Sequence, residues 1–246
     1  MIETICHENL SDCLKNEGQH QVGKETLIFS QKVGKIETID DIAKLFNFFI
    51  NNMNIDTEHK VKKFARTSEE IFRDKIWSGC SDIGTALAPI LRINGIPTVY
   101  VQSVKIDWVK ELQNHSNGAQ LHQGHIFLEI YLNNKWMLFD STAGIIYSNY
   151  DYHNYSLPNQ YYVFSKSLTG HEVGCTNLEN NNQLMDELFI DFDTNLYHEP
   201  NYDKIYLKIW IYNFEYKKTL ERNLEFFLLI YIWHYIYIFI ILYNII

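Results

Sequence analysis

The feature that most constrains this chain is one cysteine at the start of a helix-like segment. Residues 76–101 read IWSGCSDIGTALAPILRINGIPTVYV, and Cys80 directly follows a Ser-Gly pair. After it, apolar residues recur at helical spacing on one stripe: Ile83, Leu87, Ile90 and Leu91. A cysteine in the first turn of a helix lies where unpaired backbone N–H groups and the helix dipole stabilise a thiolate. Cys80 is therefore a candidate nucleophile.

The same segment also carries signals for packing and termination. Gly84 permits close packing of the helix against a neighbour, and Gly95 suits a C-terminal cap. Pro89 removes one helical hydrogen bond, so the pattern predicts a helix that bends there. Pro97 then opens an extended run over residues 98–101. These signals predict a helix followed by a strand.

A second segment has the pattern of a β-hairpin. Residues 124–132, GHIFLEIYL, alternate between two faces, and residues 135–140, KWMLFD, read as the returning strand. Between them, Asn133 and Asn134 tolerate the positive φ angles of a two-residue turn. The sequence therefore predicts two adjacent antiparallel strands.

The register of this hairpin decides which side chains meet. If Leu132 pairs with Lys135, then Phe127 lies opposite Asp140. In this register His125 and Asp140 are diagonal neighbours on the same face, within reach of each other's side chains. A carboxylate next to an imidazole fixes its tautomer and raises its basicity, which is the orienting role in a thiol triad. A three-residue turn would reverse this parity. The alternative to a triad is a histidine and an aspartate that are solvated at strand ends and have no catalytic role.

Two capping signals predict helices upstream of Cys80. Thr38 with Asp41, and Thr67 with Glu70, have the three-residue spacing of a capping box. Residues 1–35 show little pattern and predict a mixed or loosely ordered lead-in. The tyrosine-rich residues 147–164 predict further strands that cover the sheet.

Composition excludes some classes of protein. The 246 residues suit one domain with an appendage, and the 46% of apolar residues suffices for a full core. A net charge of -9 argues against nucleic-acid binding, which requires lysines and arginines. The widely spaced cysteines and the polar N-terminus predict free thiols in a reducing, cytoplasmic compartment: Cys6, Cys13, Cys80 and Cys175.

In combination, these motifs resemble the transglutaminase-like superfamily, which shares its catalytic arrangement with papain-like thiol enzymes. The matching pieces lie in the family's order: SGCSD, LRINGIP, GHIFLEIYL and KWMLFDST, within residues 66–142. The resemblance implies an α+β fold with a papain/transglutaminase-like core, in which helices pack on an antiparallel sheet. It also implies a Cys80 nucleophile, a His125 base and an orienting Asp140.

The sequence matches the oxyanion-binding residues of papain-like enzymes less completely than it matches the triad. The Cys80 backbone N–H is expected to be one donor, and the Trp77 indole N–H is a second candidate, with packing in the core as its alternative. Papain-like enzymes often carry a glutamine six residues before the cysteine, but Asp74 stands at that position and cannot take the same role.

No cofactor or metal is expected. The calcium-binding features of animal transglutaminases have no counterpart in the sequence. A zinc site at His115, His122 and His125 is the weaker alternative, because these histidines lie in a polar segment without an established ligand pattern. Residues 104–124 are instead interpreted as a mobile flap, and Cys6-His7, Cys13, His171 and Cys175 as free or buried side chains.

The C-terminus forms a hydrophobic tail. Residues 226–243, FFLLIYIWHYIYIFIILY, reach the length of a short membrane-spanning helix and follow several basic residues, which would keep the remainder cytoplasmic. A buried strand or a tail added by an altered reading frame are alternatives. The predicted divisions are a helical lead-in at 1–60, a catalytic core at 61–203 and a tail at 204–246.

Three functions are compatible with the triad. The leading hypothesis is acyl transfer from peptide or protein amides through a cysteine thioester, with peptide or isopeptide hydrolysis ahead of deamidation or amine transfer. The second is a catalytically silent transglutaminase-like domain that binds peptides or proteins. The third is an enzyme of the arylamine acetyltransferase type, which also uses Cys, His and Asp. The sequence leaves the substrate and the oligomeric state open.

Overall fold

The computed structural model describes residues 1–5, 7–114 and 121–207. Met1–Leu207 form one compact unit. The candidate anchor at residues 226–243 lies outside the described residues. Within those that are described, no helix is long and apolar enough to cross a membrane.

The compact unit contains both helices and strands. Its α-helices are α1 Lys24–Val33, α2 Ile39–Asn52, α3 Ser68–Asp74, α4 Cys80–Ile93, α5 Ile106–Asn114 and α6 Leu178–Phe189. Its strands are β1 Ile2–Glu3, β2 Asn54–Ile55, β3 Ile76–Trp77, β4 Thr98–Lys105, β5 Gly124–Leu132, β6 Lys135–Asp140, β7 Ile145–Tyr147, β8 Ser156–Leu157, β9 Tyr161–Ser167 and β10 Lys204–Tyr206.

One sheet organises the described part of the chain. Its strands follow the order β1-β9-β4-β5-β6-β7-β10, with β8 paired to β9, and all pairs except β1–β9 are antiparallel. A separate parallel pair joins β2 to β3. Helix α4 packs on β4 and β5. The predicted α+β class, with helices on an antiparallel sheet, is confirmed.

The predicted helix starts are confirmed by their caps. The Thr38 hydroxyl accepts the Asp41 N–H, and the Asp41 carboxylate accepts the Thr38 N–H. Thr67 and Glu70 form the same reciprocal pair at the start of α3. Each box satisfies donors that a helix terminus would otherwise leave unpaired, so local sequence alone fixes where α2 and α3 begin.

Helix α4 follows the predicted boundaries and lies close to the sheet. A Cβ at Gly84 would lie 2.9 Å from Ile126 Cγ2 and 3.0 Å from the Tyr100 ring, so glycine is needed for this approach. The helix runs through Pro89 to Ile93. Gly95 has a φ of 80°, and its N–H donates to the Arg92 carbonyl at 3.0 Å, which is the predicted C-terminal cap.

The hairpin has the predicted register. Leu132 pairs with Lys135, and the ladder continues to Leu128 opposite Phe139. Asn133 and Asn134 have φ angles of 55° and 60°, as a two-residue turn with positive φ requires.

This register allows a test at the turn. Replacing Asn133-Asn134 with Asp-Gly should leave folding and activity unchanged, because both pairs accept positive φ. Inserting one residue between them should turn Asp140 to the opposite face from His125 and remove activity from a folded protein. Circular dichroism, for folding, and a turnover assay, for activity, on both variants provide the measurement. Full activity in the insertion variant would contradict the pairing.

The lead-in predicted for residues 1–35 is more ordered than its pattern suggests. It contains β1 and α1, although α1 buries only Thr26, Phe29 and Ser30. His7, in this segment, lies 2.5 Å from the carboxylate of Glu129, which Lys166 also contacts at 2.7 Å with both side chains fully buried. A buried charge is costly unless it is paired, so this contact fixes the segment against β5.

Two further expectations need correction. Residues 104–124 were predicted to be a flap, but Ile106–Asn114 form α5, whose buried residues include Trp108 and Val109. The periodicity of Ile106, Val109 and Leu112 is helical, and the polar residues that follow obscured it. At the other end, Lys204–Tyr206 pair with β7, although the sequence assigned them to the tail.

Candidate active site

The backbone before Cys80 has a conformation that requires glycine. Gly79, the N-cap of α4, has a φ of 150° and a ψ of -164°. Residues with a side chain rarely adopt this φ. A Cβ at Gly79 would meet no other atom within 4 Å, so glycine is required there by the backbone conformation and not by lack of space. Cys80 follows as the first residue of α4 and is partly exposed. The helix dipole at this end favours a thiolate.

A buried ion pair holds the loop that leads to Cys80. The Asp82 carboxylate, on the first turn of α4, accepts hydrogen bonds from the Ser78 N–H and hydroxyl, both at 2.8 Å. Arg66 donates to the same oxygen at 2.5 Å and to the Ile76 carbonyl at 2.9 Å. The sequence interpretation missed this network. An aspartate in the first turn of the helix was the available signal, but its arginine partner lies sixteen positions earlier.

His125 and Asp140 meet as the hairpin register predicts. The His125 Nε2–H donates to Asp140 Oδ1 at 3.0 Å, with both side chains largely buried. That oxygen also accepts the backbone N–H groups of Thr142 and Ala143 at 3.1 and 3.0 Å. Asp140 is therefore held by the turn after β6, and Nδ1 is the ring nitrogen of His125 that remains for Cys80.

The electrostatics of Cys80 and His125 favour an ion pair. Burial would raise the pKa of the Cys80 thiol, but the hydrogen-bonding and charge of His125, with the N–H of Ile126, lower it below its ordinary value. Burial would lower the pKa of His125, but Asp140 and Cys80 raise it above its ordinary value. These shifts favour a thiolate beside an imidazolium at neutral pH.

Two aromatic rings pack on the histidine. The Tyr161 ring is tilted by 31° to the His125 ring with centroids 5.1 Å apart, and Phe127 meets the His125 ring edge-on at 4.7 Å. A ring centroid within about 6 Å is favourable for an imidazolium because the electrons of an aromatic ring attract a cation. Tyr161 falls within the tyrosine-rich stretch, but its position over His125 depends on the pairing of β9 with β4.

The second oxyanion candidate is not placed at the cavity. Among the described residues that line the cavity beside Cys80, Trp77 does not occur. The ring centroids of Trp77 and Phe49 are 6.5 Å apart, and Phe49 is one of the buried residues of α2. The oxyanion roles of the Trp77 indole and of the Cys80 backbone N–H both stay predictions. Asp74 lies near the surface beside Arg73.

The histidines that suggested a zinc site take separate partners. His122 Nε2 lies 3.0 Å from Asp186 Oδ1, and His125 is committed to Asp140. In the part of the chain that the structure describes, which excludes His115, no group of three or more His, Cys, Asp or Glu could hold a metal ion. Three of the cysteines, Cys13, Cys80 and Cys175, are free thiols.

The pKa shifts predict a pH profile for alkylation of Cys80. Iodoacetamide should react rapidly and almost independently of pH from above the lowered thiol pKa up to the raised pKa of His125. The rate should fall as the pH drops through the thiol pKa, because the thiolate becomes protonated. Rate constants from peptide mapping, with buried Cys13 and Cys175 as internal references, provide the measurement.

The matched control for this profile is His125→Ala. Without the imidazolium, the midpoint should move up toward the ordinary cysteine range, near a pKa of about 8.5. A wild-type rate that rises only in that range would contradict the ion pair.

A comparison with known protein families matches the part of the chain that contains the three candidate triad residues. Residues 28–141, which include Cys80, His125 and Asp140, match the family model described as the transglutaminase-like superfamily. No curated protein matches the chain.

Two solved structures are similar to part of this chain. One is a candidate cysteine protease from Cytophaga hutchinsonii, with 14% identity and a TM-score of 0.48 over 70% of this chain and 51% of that one. The other is described as a TGase, with 10% identity and a TM-score of 0.38 over 81% of this chain and 55% of that one. The chain thus spans about half the length of each.

Proposed function

Because residues 28–141 match the family model of the transglutaminase-like superfamily, we propose that this chain is a thiol enzyme that transfers the acyl group of a peptide or protein amide through a Cys80 thioester. The observation that carries the proposal is the position of Cys80 at the start of α4 beside His125, whose Nε2 lies 3.0 Å from Asp140. This combination supplies a nucleophile, an acid–base group and an orienting carboxylate.

Acylation begins at the thiolate. The Cys80 sulfur attacks the amide carbonyl carbon, and the carbonyl electrons move to oxygen to form a tetrahedral intermediate. The Cys80 N–H at the helix start donates a hydrogen bond to this oxyanion. The His125 imidazolium then gives its Nδ1 proton to the leaving amine as the C–N bond breaks, which leaves a thioester on Cys80 and a neutral imidazole.

Deacylation reverses these roles. Neutral His125 takes a proton from water while the water oxygen attacks the thioester carbon. The C–S bond then breaks, which releases a carboxylic acid and restores the thiolate–imidazolium pair. Asp140 stabilises the imidazolium in both resting and product states and keeps Nδ1 directed at the sulfur. If a primary amine replaces water, the product is a new amide.

Hydrolysis of peptide or isopeptide bonds is the leading reaction, with deamidation and amine transfer as variants. The experiment incubates wild-type protein and Cys80→Ala with a casein digest. New amino termini indicate hydrolysis, released ammonia indicates deamidation, and incorporation of a fluorescent primary amine indicates transfer. Cys80→Ala should abolish all three, since removal of one sulfur costs little packing.

The two alternative functions predict different results when the same purified protein is assayed. A silent module that binds peptides would show none of the three products, and Cys80 would react no faster than the other cysteines. An enzyme of the arylamine acetyltransferase type would acetylate an arylamine with acetyl-CoA. The favourable charge state of Cys80 and His125 supports catalysis over the silent module.

We also propose a cytoplasmic location, with residues 226–243 as a candidate anchor. The cluster of basic residues ahead of that run supports the orientation. Fractionation of full-length protein against a variant truncated after Asn223 tests it. Full-length protein that stays in the soluble fraction without detergent would contradict the anchor.

A further inference from the structure

The cavity beside Cys80 has an uneven charge distribution. Of the described residues that line it, Lys63 is the one lysine or arginine, and none is an aspartate or glutamate. The whole chain, by contrast, carries a net charge of -9. Lys63 forms no ion pair with any other residue that the structure describes. His125 is paired with Asp140, so Lys63 is, among the described lining residues, the cation without an acidic partner, and such a charge in a cleft raises the local concentration of anions.

The loop that carries Lys63 is held in an unfavourable conformation. The next residue, Phe64, has a φ of 62°, although it is neither glycine nor asparagine. Its carbonyl accepts hydrogen bonds from Gln19 Nε2 at 2.9 Å and from His171 Nε2 at 2.8 Å. Backbone strain of this kind persists where the surroundings impose it, and it concentrates at binding sites. The backbone of Lys63 is therefore fixed at the cavity.

This loop is also tied to the nucleophile. Gln19 Nε2 donates to the Arg66 carbonyl at 3.0 Å, and the Arg66 side chain pairs with Asp82 on the first turn of α4. Phe64, which follows Lys63, and Asp82, two residues after Cys80, therefore belong to one hydrogen-bonded assembly. A ligand held near the lysine is consequently positioned relative to the sulfur.

A second polar group on the cavity wall, the side-chain oxygen of Asn182, lacks a hydrogen-bond donor among the described residues. Asn182 Oδ1 is buried and accepts no hydrogen bond within the described part of the chain. Its neighbour Asn181 differs, because its amide oxygen accepts from Gln102 at 3.1 Å. A buried acceptor without a donor is costly, so Asn182 is suited to a ligand N–H.

We propose that this cavity selects acyl donors that carry a carboxylate on the acyl side of the reacting carbonyl. The carboxylate lies near Lys63, and a substrate N–H donates to Asn182 Oδ1, as in an acidic peptide. Phe64 and Phe164 line the cavity and provide apolar contact for the intervening methylene groups. For turnover, this inference rests on the proposed function, but the charge preference is a property of the cavity itself.

The first test needs no turnover. Iodoacetate and iodoacetamide differ mainly in charge, and the ratio of their alkylation rates at Cys80 measures the preference for an anion. His125 contributes equally in wild type and variants, so a change in the ratio reports Lys63. In Lys63→Met, the ratio should fall by about threefold or more at low salt, and high salt should lower the wild-type ratio.

Matched variants isolate the charge. Lys62→Met removes an adjacent, exposed lysine and should leave the ratio unchanged, and Lys63→Arg should retain it. Lys63 is partly exposed, so folding should be preserved, which circular dichroism can verify. An equal fall in the Lys62 and Lys63 variants, or no fall in either, would overturn the proposal even if Cys80 proves catalytic.

The second test uses turnover. The p-nitrophenyl esters of N-acetylglutamate and N-acetylglutamine have nearly the same shape and differ in side-chain charge. Wild type should show the lower KM for the glutamate ester, and Lys63→Met should remove that difference. Asn182→Leu should raise KM for both esters without changing their ratio. Equal KM values for the two esters in wild type would overturn the substrate preference but leave acylation of Cys80 established.

Discussion

A His125→Ala variant is expected to lose about 10²- to 10⁴-fold in amide-hydrolysing turnover while it keeps its fold. The imidazole has two tasks in the proposed mechanism, because it stabilises the thiolate and protonates the leaving amine. Its removal also leaves Asp140 with the Thr142 and Ala143 N–H groups, so the turn remains supported. Steady-state kinetics on a peptide amide provides the measurement.

Two variants distinguish the loss of the His125 imidazole from a nonspecific effect of histidine substitution and from the loss of its carboxylate partner. His198→Ala removes an exposed histidine and should retain wild-type turnover. Asp140→Asn should leave the thiol reactive toward iodoacetamide but lower turnover, because the imidazolium loses a charged partner. Wild-type turnover in His125→Ala would exclude this histidine as the base.

An Arg66→Met variant is expected to lose about 3–5 kcal/mol in the free energy of unfolding. Asp82 has only 3% of its side chain exposed and would lose its arginine partner. The two hydrogen bonds from Ser78 offset part of that cost, so the lower end of the range is expected. Urea unfolding followed by fluorescence measures the change.

The matched control lies in the same region. Arg73 pairs with Asp74 near the surface, with 60% of its side chain exposed, and Arg73→Met should change stability little. Adding Asp82→Leu to Arg66→Met should recover stability, because no buried charge then remains unpaired. An Arg66→Met variant as stable as Arg73→Met would show that the ion pair does not hold the loop before Cys80.

Local signals predicted much of the site because its parts are close in sequence. The two-residue turn at Asn133-Asn134 fixes the register of β5 and β6, and that register brings His125 to Asp140. The capping boxes at Thr38 and Thr67 mark where their helices begin. In each case, the interacting groups are separated by a short segment with few alternative conformations.

Contacts between distant segments could not be predicted in the same way. The pairing of Arg66 with Asp82 and the position of Tyr161 over His125 depend on how helices and strands pack. Trp77 shows the limit of sequence proximity, because it lies three residues before Cys80 but outside the cavity lining among the described residues. Distance along the chain does not determine where a side chain points.

The central claim is that Cys80 forms a thioester, and acylation by p-nitrophenyl acetate tests it most directly. Wild-type protein should release about one equivalent of p-nitrophenol in a burst, and mass spectrometry of the quenched peptide digest should locate the acetyl group on Cys80. Cys80→Ser should show no burst on the same timescale. Absence of a burst in folded wild-type protein, or acetylation spread evenly over the four cysteines, would contradict the account.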